Sequence, residues 1–263
     1  MSIDLSKSQV NRLGDRLRKG KPLPADVETL DIFRRSFDEA QQVVVQRLRD
    51  LGLEPSVRIK TTLSIVEKLK RESIRLSKLQ DIAGCRVVVD DVTEQDRVVG
   101  LIIGVFPWAT VIDRRQRPSH GYRAVHIIID VDDRLVEIQI RTELQHLWAV
   151  FSETWADALD QSIKYGGGPP EIQENLRLKS EIVALIESGQ RRLLAGLNKP
   201  NLAQQRIQIG ELHKLLSTGQ LPPGAAETAG LVPDFTDLLR REQEMKERFT
   251  RDILKLESER RNS

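Results

Sequence analysis

One cysteine, Cys85, occurs in the 263 residues. Neither an internal disulfide nor a cysteine-built zinc cage can form, and inside "DIAGCRVVVD" the residue reads as a small buried strand side chain. Long hydrophobic runs are also missing. The longest, "VVGLIIGVF", falls far short of the roughly 20 residues a membrane helix needs. The opening "MSIDLSKSQVNRLGDRLRKG" lacks the apolar core of a signal peptide, so the expected location is a reducing cytoplasm, with no membrane partner. Charge is balanced: 41 Lys and Arg face 39 Asp and Glu. That excludes a polycationic coat, and any nucleic-acid contact has to come from a local patch. There is no internal repeat, and low complexity is confined to "GQLPPGAAETAG".

What is present suits one α/β core with a helical appendage. After a basic, loose leader over residues 1–25, apolar positions at helical spacing (Val27, Leu30, Phe33, Phe37, Val44, Leu48) predict a first helix over 26–51, ended at Gly52. "SVRIK" (56–60) alternates as a short strand. Ser64 with Glu67 fits a capping box opening a helix that runs to about Leu76. "GCRVVVD" (84–90) has the β-branched content of a central strand, and Thr93 with Asp96 offers an N-cap for a helix over 94–106. A short strand at 109–113, an Arg-, Pro- and Gly-rich loop at 114–121 and a hairpin of 122–131 with 134–141 across Asp132-Asp133 follow. Thr142 and Gln145 cap the next helix. Its apolar side (Leu144, Leu147, Trp148, Phe151, Trp155) reads as core packing rather than a cofactor box. "KYGGGPP" (164–170) breaks the pattern, and helices at about 171–195, 201–217 and 234–260 make up an extension over 166–263. In the last of these, Phe235, Leu238, Met245, Phe249 and Leu256 form a stripe that packs back, dimerises or holds a partner.

Four stretches carry chemistry. In "RIKTTLSIVEKLKR", Arg58 and Lys60 share a strand face, while Ser64, Lys68 and Arg71 share a helix face. Converging on a helix N-terminus, they make a phosphate cradle, although a solvated basic face would look the same. Asp81, entering the next strand, is placed to hold a hard cation such as Mg²⁺ or, equally, to cap a turn. Arg86 needs an anion or a π-face to justify its place in an apolar strand. In "LVEIQIRTELQHLW", Glu137, Gln139 and Arg141 alternate with Val136, Ile138 and Ile140. Tyr122 and His126 on the partner strand stand beside them, giving a cluster of ring, imidazole, carboxylate, amide and guanidinium.

"RIKTTLSIVEKL", "DIAGCRVVV", "GYRAVH" and "VEIQIRTELQHLWA", in this order, resemble the synthetase domain of RelA/SpoT-type alarmone synthetases over about residues 30–165. The chain is similar in size to the small stand-alone members. Its four histidines (His120, His126, His146, His213) include no His-Asp pair of a metal-dependent hydrolase domain. The resemblance implies an α+β, nucleotidyltransferase-like fold over 26–165, a mixed five-stranded sheet flanked by helices. It implies transfer of the β,γ-pyrophosphate of ATP to the ribose 3′-hydroxyl of GDP or GTP. Arg58 and Arg86 then sandwich adenine, Lys60, Ser64 and Lys68 hold the ATP phosphates, and Asp81 and Glu137 bind Mg²⁺, with Glu137 also taking the hydroxyl proton. Tyr122 stacks on the acceptor base, and His126, Gln139 and Arg141 shape its pocket. A basic Lys-Asp-Tyr-Ile-like segment expected before the Gly-Tyr is replaced by "VIDRRQRPSHGY". Arg114, Arg115 and Arg117 hold either the acceptor's 5′ phosphates or an RNA backbone. Toxin-type members that modify the 3′ end of tRNA, and a catalytically silent nucleotide or RNA sensor, are the alternative readings. The C-terminal helices would serve a homo-oligomer or an antitoxin.

Overall fold

The computed structural model describes residues 5–196 and 232–261. Strands β1 (Ser56–Ile59), β2 (Ala83–Val89), β3 (Thr110–Asp113), β4 (Val125–Val131) and β5 (Arg134–Thr142) form one mixed sheet in the order β1-β2-β5-β4-β3. β2 and β5 run parallel, and the other pairs are antiparallel. The β4–β5 hairpin turns at Asp132 and Asp133, whose φ of 49° and 62° supply the two left-handed positions of a type I′ turn. Short acidic side chains tolerate that conformation.

Strand alternation divides the sheet into two faces. On one, Cys85, Val87, Val89, Val125, Ile127, Ile129, Val136, Ile138 and Ile140 are buried, packed with Val44, Val45 and Leu48 of α3 (Asp38–Asp50) and with Val98 and Ile102 of α5 (Val92–Val105). A second apolar cluster joins α1 (Lys7–Arg18), α2 (Asp26–Arg35) and α4 (Thr62–Arg71) through Val10, Leu13, Leu17, Leu30, Phe33, Ile65 and Leu69, closed by Ile82 and Ala83.

Four local expectations are corrected. The leader is not loose: α1 opens on a complete capping box of Ser6 and Gln9 and buries Val10, Leu13 and Leu17. Arg16 then grips the buried Asp26 with two hydrogen bonds of 2.8 and 2.6 Å. The predicted helix over 26–51 is two helices, bent at Ser36, whose hydroxyl bonds back to the Phe33 carbonyl. Leu30 and Phe33 belong to one cluster and Val44 and Leu48 to the other, which one straight stripe could not serve. The caps of α4 and α5 lie upstream of the predicted ones. Thr61 accepts from the Ser64 amide, and Asp91 accepts from the amides of Thr93 and Glu94. α4 also ends at Arg71, ahead of Leu76. The predicted Thr142 and Gln145 cap is present, each side chain bonding the other's amide.

The chain forms two compact units, Met1–His146 and Leu147–Ser263, divided within α6 (Glu143–Ala158). In the second unit, Gly166 and Gly168 at positive φ lead into α7 (Pro170–Gly196), and the final helix is α8 (Val232–Arg261). Trp148 donates to the Leu176 carbonyl at 2.8 Å. Lys179 is buried, its ammonium 2.8 Å from Asp252 and stacked over the rings of Phe151 and Phe249. Met245, Phe249 and Leu256 of the predicted stripe are buried within this unit. The predicted helix at 201–217, the linker and the side chains of Phe235 and Leu238 lie outside the described residues. Among the described residues no helix is long and apolar enough to cross a membrane.

Candidate active site

The polar face of the sheet is built by register. Arg58 of β1 lies opposite Gly84 of β2, Gly84 opposite Glu137 of β5, and Arg86 opposite Gln139, which has His126 of β4 on its other side. Alternation therefore puts Arg58, Arg86, His126, Glu137 and Gln139 on the face away from the α3–α5 core. Gly84 is required where it stands. A Cβ there would collide with the Glu137 carbonyl oxygen, so the cleft beside that carboxylate exists because the strand is bare at this point.

That cleft is lined by Arg58, Lys60, Asp81, Ala83, Gly84, Cys85, Arg86, Glu137 and Gln139. Lys60 and Lys68 both donate to Oδ2 of Asp81, at 2.7 and 3.0 Å. Oδ1 of the same carboxylate is buried and has no hydrogen-bond partner. Four cations thus stand with two carboxylates in and beside one cleft, an excess that attracts polyphosphate. Burial pushes the Asp81 carboxyl up, but the two ammonium groups outweigh it and hold the group below the usual carboxylate range. Burial also lowers Lys60 below the ordinary lysine value, against the pull of Asp81.

Glu137 sits in a closed ring of hydrogen bonds. Its Oε1 is 2.9 Å from His126 Nδ1, and its Oε2 accepts from the Gln139 amide at 2.7 Å. Gln139 in turn accepts from Arg141 at 2.8 Å. Arg141 also donates to the Tyr122 hydroxyl at 3.0 Å, and that hydroxyl lies 2.9 Å from His126 Nε2. Burial again works upward on the Glu137 carboxyl, while the bonds from His126 and Gln139 win and keep it below its ordinary value. The Tyr122 phenol is raised by burial. Cys85 is pushed up to about 12, first by burial and then by the Glu137 charge, so at neutral pH it is a thiol and no nucleophile.

Tyr122 does not belong to the predicted strand, because β4 begins at Val125. It enters the ring from a tight turn. Ser119 and Tyr122 exchange backbone hydrogen bonds around His120 and Gly121, both at positive φ. Of the other predicted residues, Ser64 accepts a hydrogen bond from the capping Thr61 hydroxyl, and Arg71, the last residue of α4, is exposed with its guanidinium on Glu72. Arg115 is committed to Asp113 at the end of β3 and to Asp96 of α5 and so ties its loop to that helix, whereas Arg114 is half-buried and Arg117 exposed. Asp81 and Glu137 are the pair that could hold Mg²⁺. They line one cleft, Asp81 offers an unpartnered oxygen, and hard carboxylates suit a cation that keeps most of its water. Among the described residues no group of three or more His, Cys, Asp and Glu forms a denser metal cage.

Gln41 is a residue that sequence reasoning missed. Buried in α3, it donates to the carbonyls of Arg58 at 2.9 Å and Gly84 at 2.6 Å, clamping β1 to β2 below the cleft. Its signal was a lone amide on the apolar stripe between Phe37 and Val44.

Residues 57–158, from β1 to the end of α6, match the model of the region found in RelA / SpoT proteins. This segment is a RelA/SpoT region. An uncharacterized protein of Mycobacterium bovis is 34% identical over 176 residues, covering 64% of this chain and 64% of that protein, so the chain spans under two thirds of that relative's length. The GTP pyrophosphokinase YjbM of Bacillus subtilis is 28% identical over 172 residues, 58% of this chain and 77% of that one. The crystal structure of the small alarmone synthetase 1 from Bacillus subtilis aligns with a TM-score of 0.49 at 25% identity, covering 64% of this chain and 96% of that chain. The RelA/SpoT region holds every cleft-lining residue named above, together with the whole Glu137 ring.

Proposed function

We propose that the chain transfers the β,γ-pyrophosphate of ATP to the ribose 3′-hydroxyl of GDP or GTP, releasing AMP. The observation that carries this reading is the pair of carboxylates, Asp81 and Glu137, in a cleft otherwise cationic. In the proposed reaction the acceptor oxygen bonds to the β-phosphorus of ATP, the bond from that phosphorus to the α–β bridging oxygen breaks, AMP leaves, and the hydroxyl proton passes to Glu137. Lys60 and Lys68 exchange Asp81 for the triphosphate, and Arg58 and Arg86 flank the adenine. Asp81 and Glu137 hold Mg²⁺, which neutralises charge on the phosphate oxygens when bound. The similarity to a protein named as a GTP pyrophosphokinase supports this choice of acceptor.

A second reading keeps the chemistry and changes the acceptor to the 3′-terminal adenosine of tRNA. It is favoured by the loop carrying Arg114 and Arg117 directly ahead of the Tyr122 turn, a place for sequence-blind phosphate contacts. The test incubates the full chain with γ-labelled ATP and Mg²⁺ and, separately, GDP, GTP, ATP and bulk tRNA. Label on GDP or GTP is the expected result. Label on tRNA alone establishes the second reading, and ATP binding without transfer to any acceptor makes the chain a nucleotide sensor.

A further inference from the structure

Arg141 has donors only, so the Tyr122 oxygen and the Gln139 carbonyl must accept from it. The Tyr122 hydroxyl lies 2.9 Å from His126 Nε2, within reach to donate to it. With that donation Nε2 is the acceptor nitrogen, and Nδ1 carries the hydrogen toward Glu137 Oε1, 2.9 Å away. The other branch has one solution as well, because the Gln139 amide group that faces Glu137 is its donor. Every hydrogen in the ring thus runs from Arg141 toward Glu137 along two arms, one through Gln139 and one through Tyr122 and His126. Arg141 and His126 are 3% and 8% exposed, so water does not compete for the inner bonds. The Tyr122 ring is held edge-on to His126 and under the Arg141 guanidinium, so its plane and its hydroxyl are set together.

We infer that the Tyr122 hydroxyl couples the seat of the acceptor base to the orientation of Glu137 through His126, which makes Tyr122 and His126 positioning residues for the transfer step. The inference rests on the function proposed above. The ring that seats the acceptor base also carries the phenol, the phenol selects the His126 tautomer, and that tautomer presents a donor to one oxygen of Glu137. The lone pair aimed at the incoming hydroxyl is thereby set through the same residue that seats the acceptor.

In the full chain, with ATP and the acceptor identified by labelling, Tyr122→Phe keeps the ring and deletes the hydroxyl. It is expected to lower kcat on the order of ten-fold while the acceptor KM stays within about two-fold. Tyr122→Leu raises that KM as well. The kcat loss from Tyr122→Phe vanishes in a His126→Ala background, and His126→Asn, whose amide can still donate to Glu137, recovers part of what His126→Ala loses. Wild-type kcat in Tyr122→Phe, or full additivity with His126→Ala, overturns the coupling. A long-range proton–nitrogen correlation spectrum of the wild-type chain tests it without turnover. Hydrogen on Nδ1 of His126 is expected, and an Nδ1 that carries none overturns the inference. Absence of transfer to any acceptor defeats the proposed function instead, and the tautomer then decides the coupling alone.

Discussion

Lys60 and Lys68 converge on one oxygen of Asp81, so two ammonium groups are held at the mouth of the cleft before any phosphate arrives. Losing one of them removes a charge-assisted contact worth roughly 1.5–3 kcal/mol. Lys68→Ala is therefore expected to weaken ATP binding by about ten-fold or more by calorimetry. Glu137→Gln is expected to behave in the opposite manner, with ATP affinity largely kept and transfer reduced by at least about a hundred-fold. Near-normal turnover in that variant would remove the carboxylate from the mechanism. Away from the cleft, the Arg16 hydrogen bonds hold the Asp26 carboxyl below its usual range although burial works against them. A depressed folded-state pKa stabilises at pH above the unfolded value of roughly 4, and that contribution is lost as pH falls through the lower folded value. Asp26→Asn should lower the melting temperature at neutral pH and narrow its distance from wild type as pH falls below ~4, where the unfolded chain takes up a proton at Asp26 before the folded chain does.

At the scale of elements, the parallel contact of β2 with β5 is what brings Asp81, at the entrance of one strand, to the same cleft as Glu137 in the middle of the other. That contact depends on Gly84. Gly84→Ala forces a methyl group against the Glu137 backbone and is expected to cost about 1–3 kcal/mol in a urea titration, with transfer falling further because the cleft floor moves. Wild-type stability in this variant would mean that the strands separate without penalty. The elements were legible from strand alternation and helical spacing because both are local properties of the chain. Caps were read less well. Ser64 and Thr93 have the chemistry of cap residues, yet both lie inside their helices, since Thr61 and Asp91 stand where the backbone is still extended. Which of several competent side chains caps a helix depends on where packing starts it.

For the Met1–His146 unit as a whole, α1 is part of the core and not an appendage. Removing residues 1–18 strips Val10, Leu13 and Leu17 from a cluster that also contains Leu30, Phe33 and Leu69. Each buried side chain contributes about 1.5–3 kcal/mol at most. The melting temperature should drop on the order of 10 °C, whereas a dispensable leader would leave it unchanged. The spacing of apolar positions along residues 7–18 matches a helix, but "SKSQVNRLGDRLRKG" is so rich in charge that a solvated tail reads equally well.

The sequence by itself determined the kinds of element, the split between an apolar and a polar sheet face, and the side chains able to handle phosphate and a hydroxyl proton. These follow from periodicity and functional-group chemistry, which need no partner. Tertiary structure alone decided that Lys60 and Lys68 meet on a single carboxylate oxygen, that Gln41 ties two strands beneath the cleft, that Arg115 is spent on Asp96 of α5, and that Tyr122 meets Arg141 in the Glu137 ring. Each of those outcomes depends on strand order and register between segments up to scores of residues apart, and no local pattern in the chain encodes the distance between them.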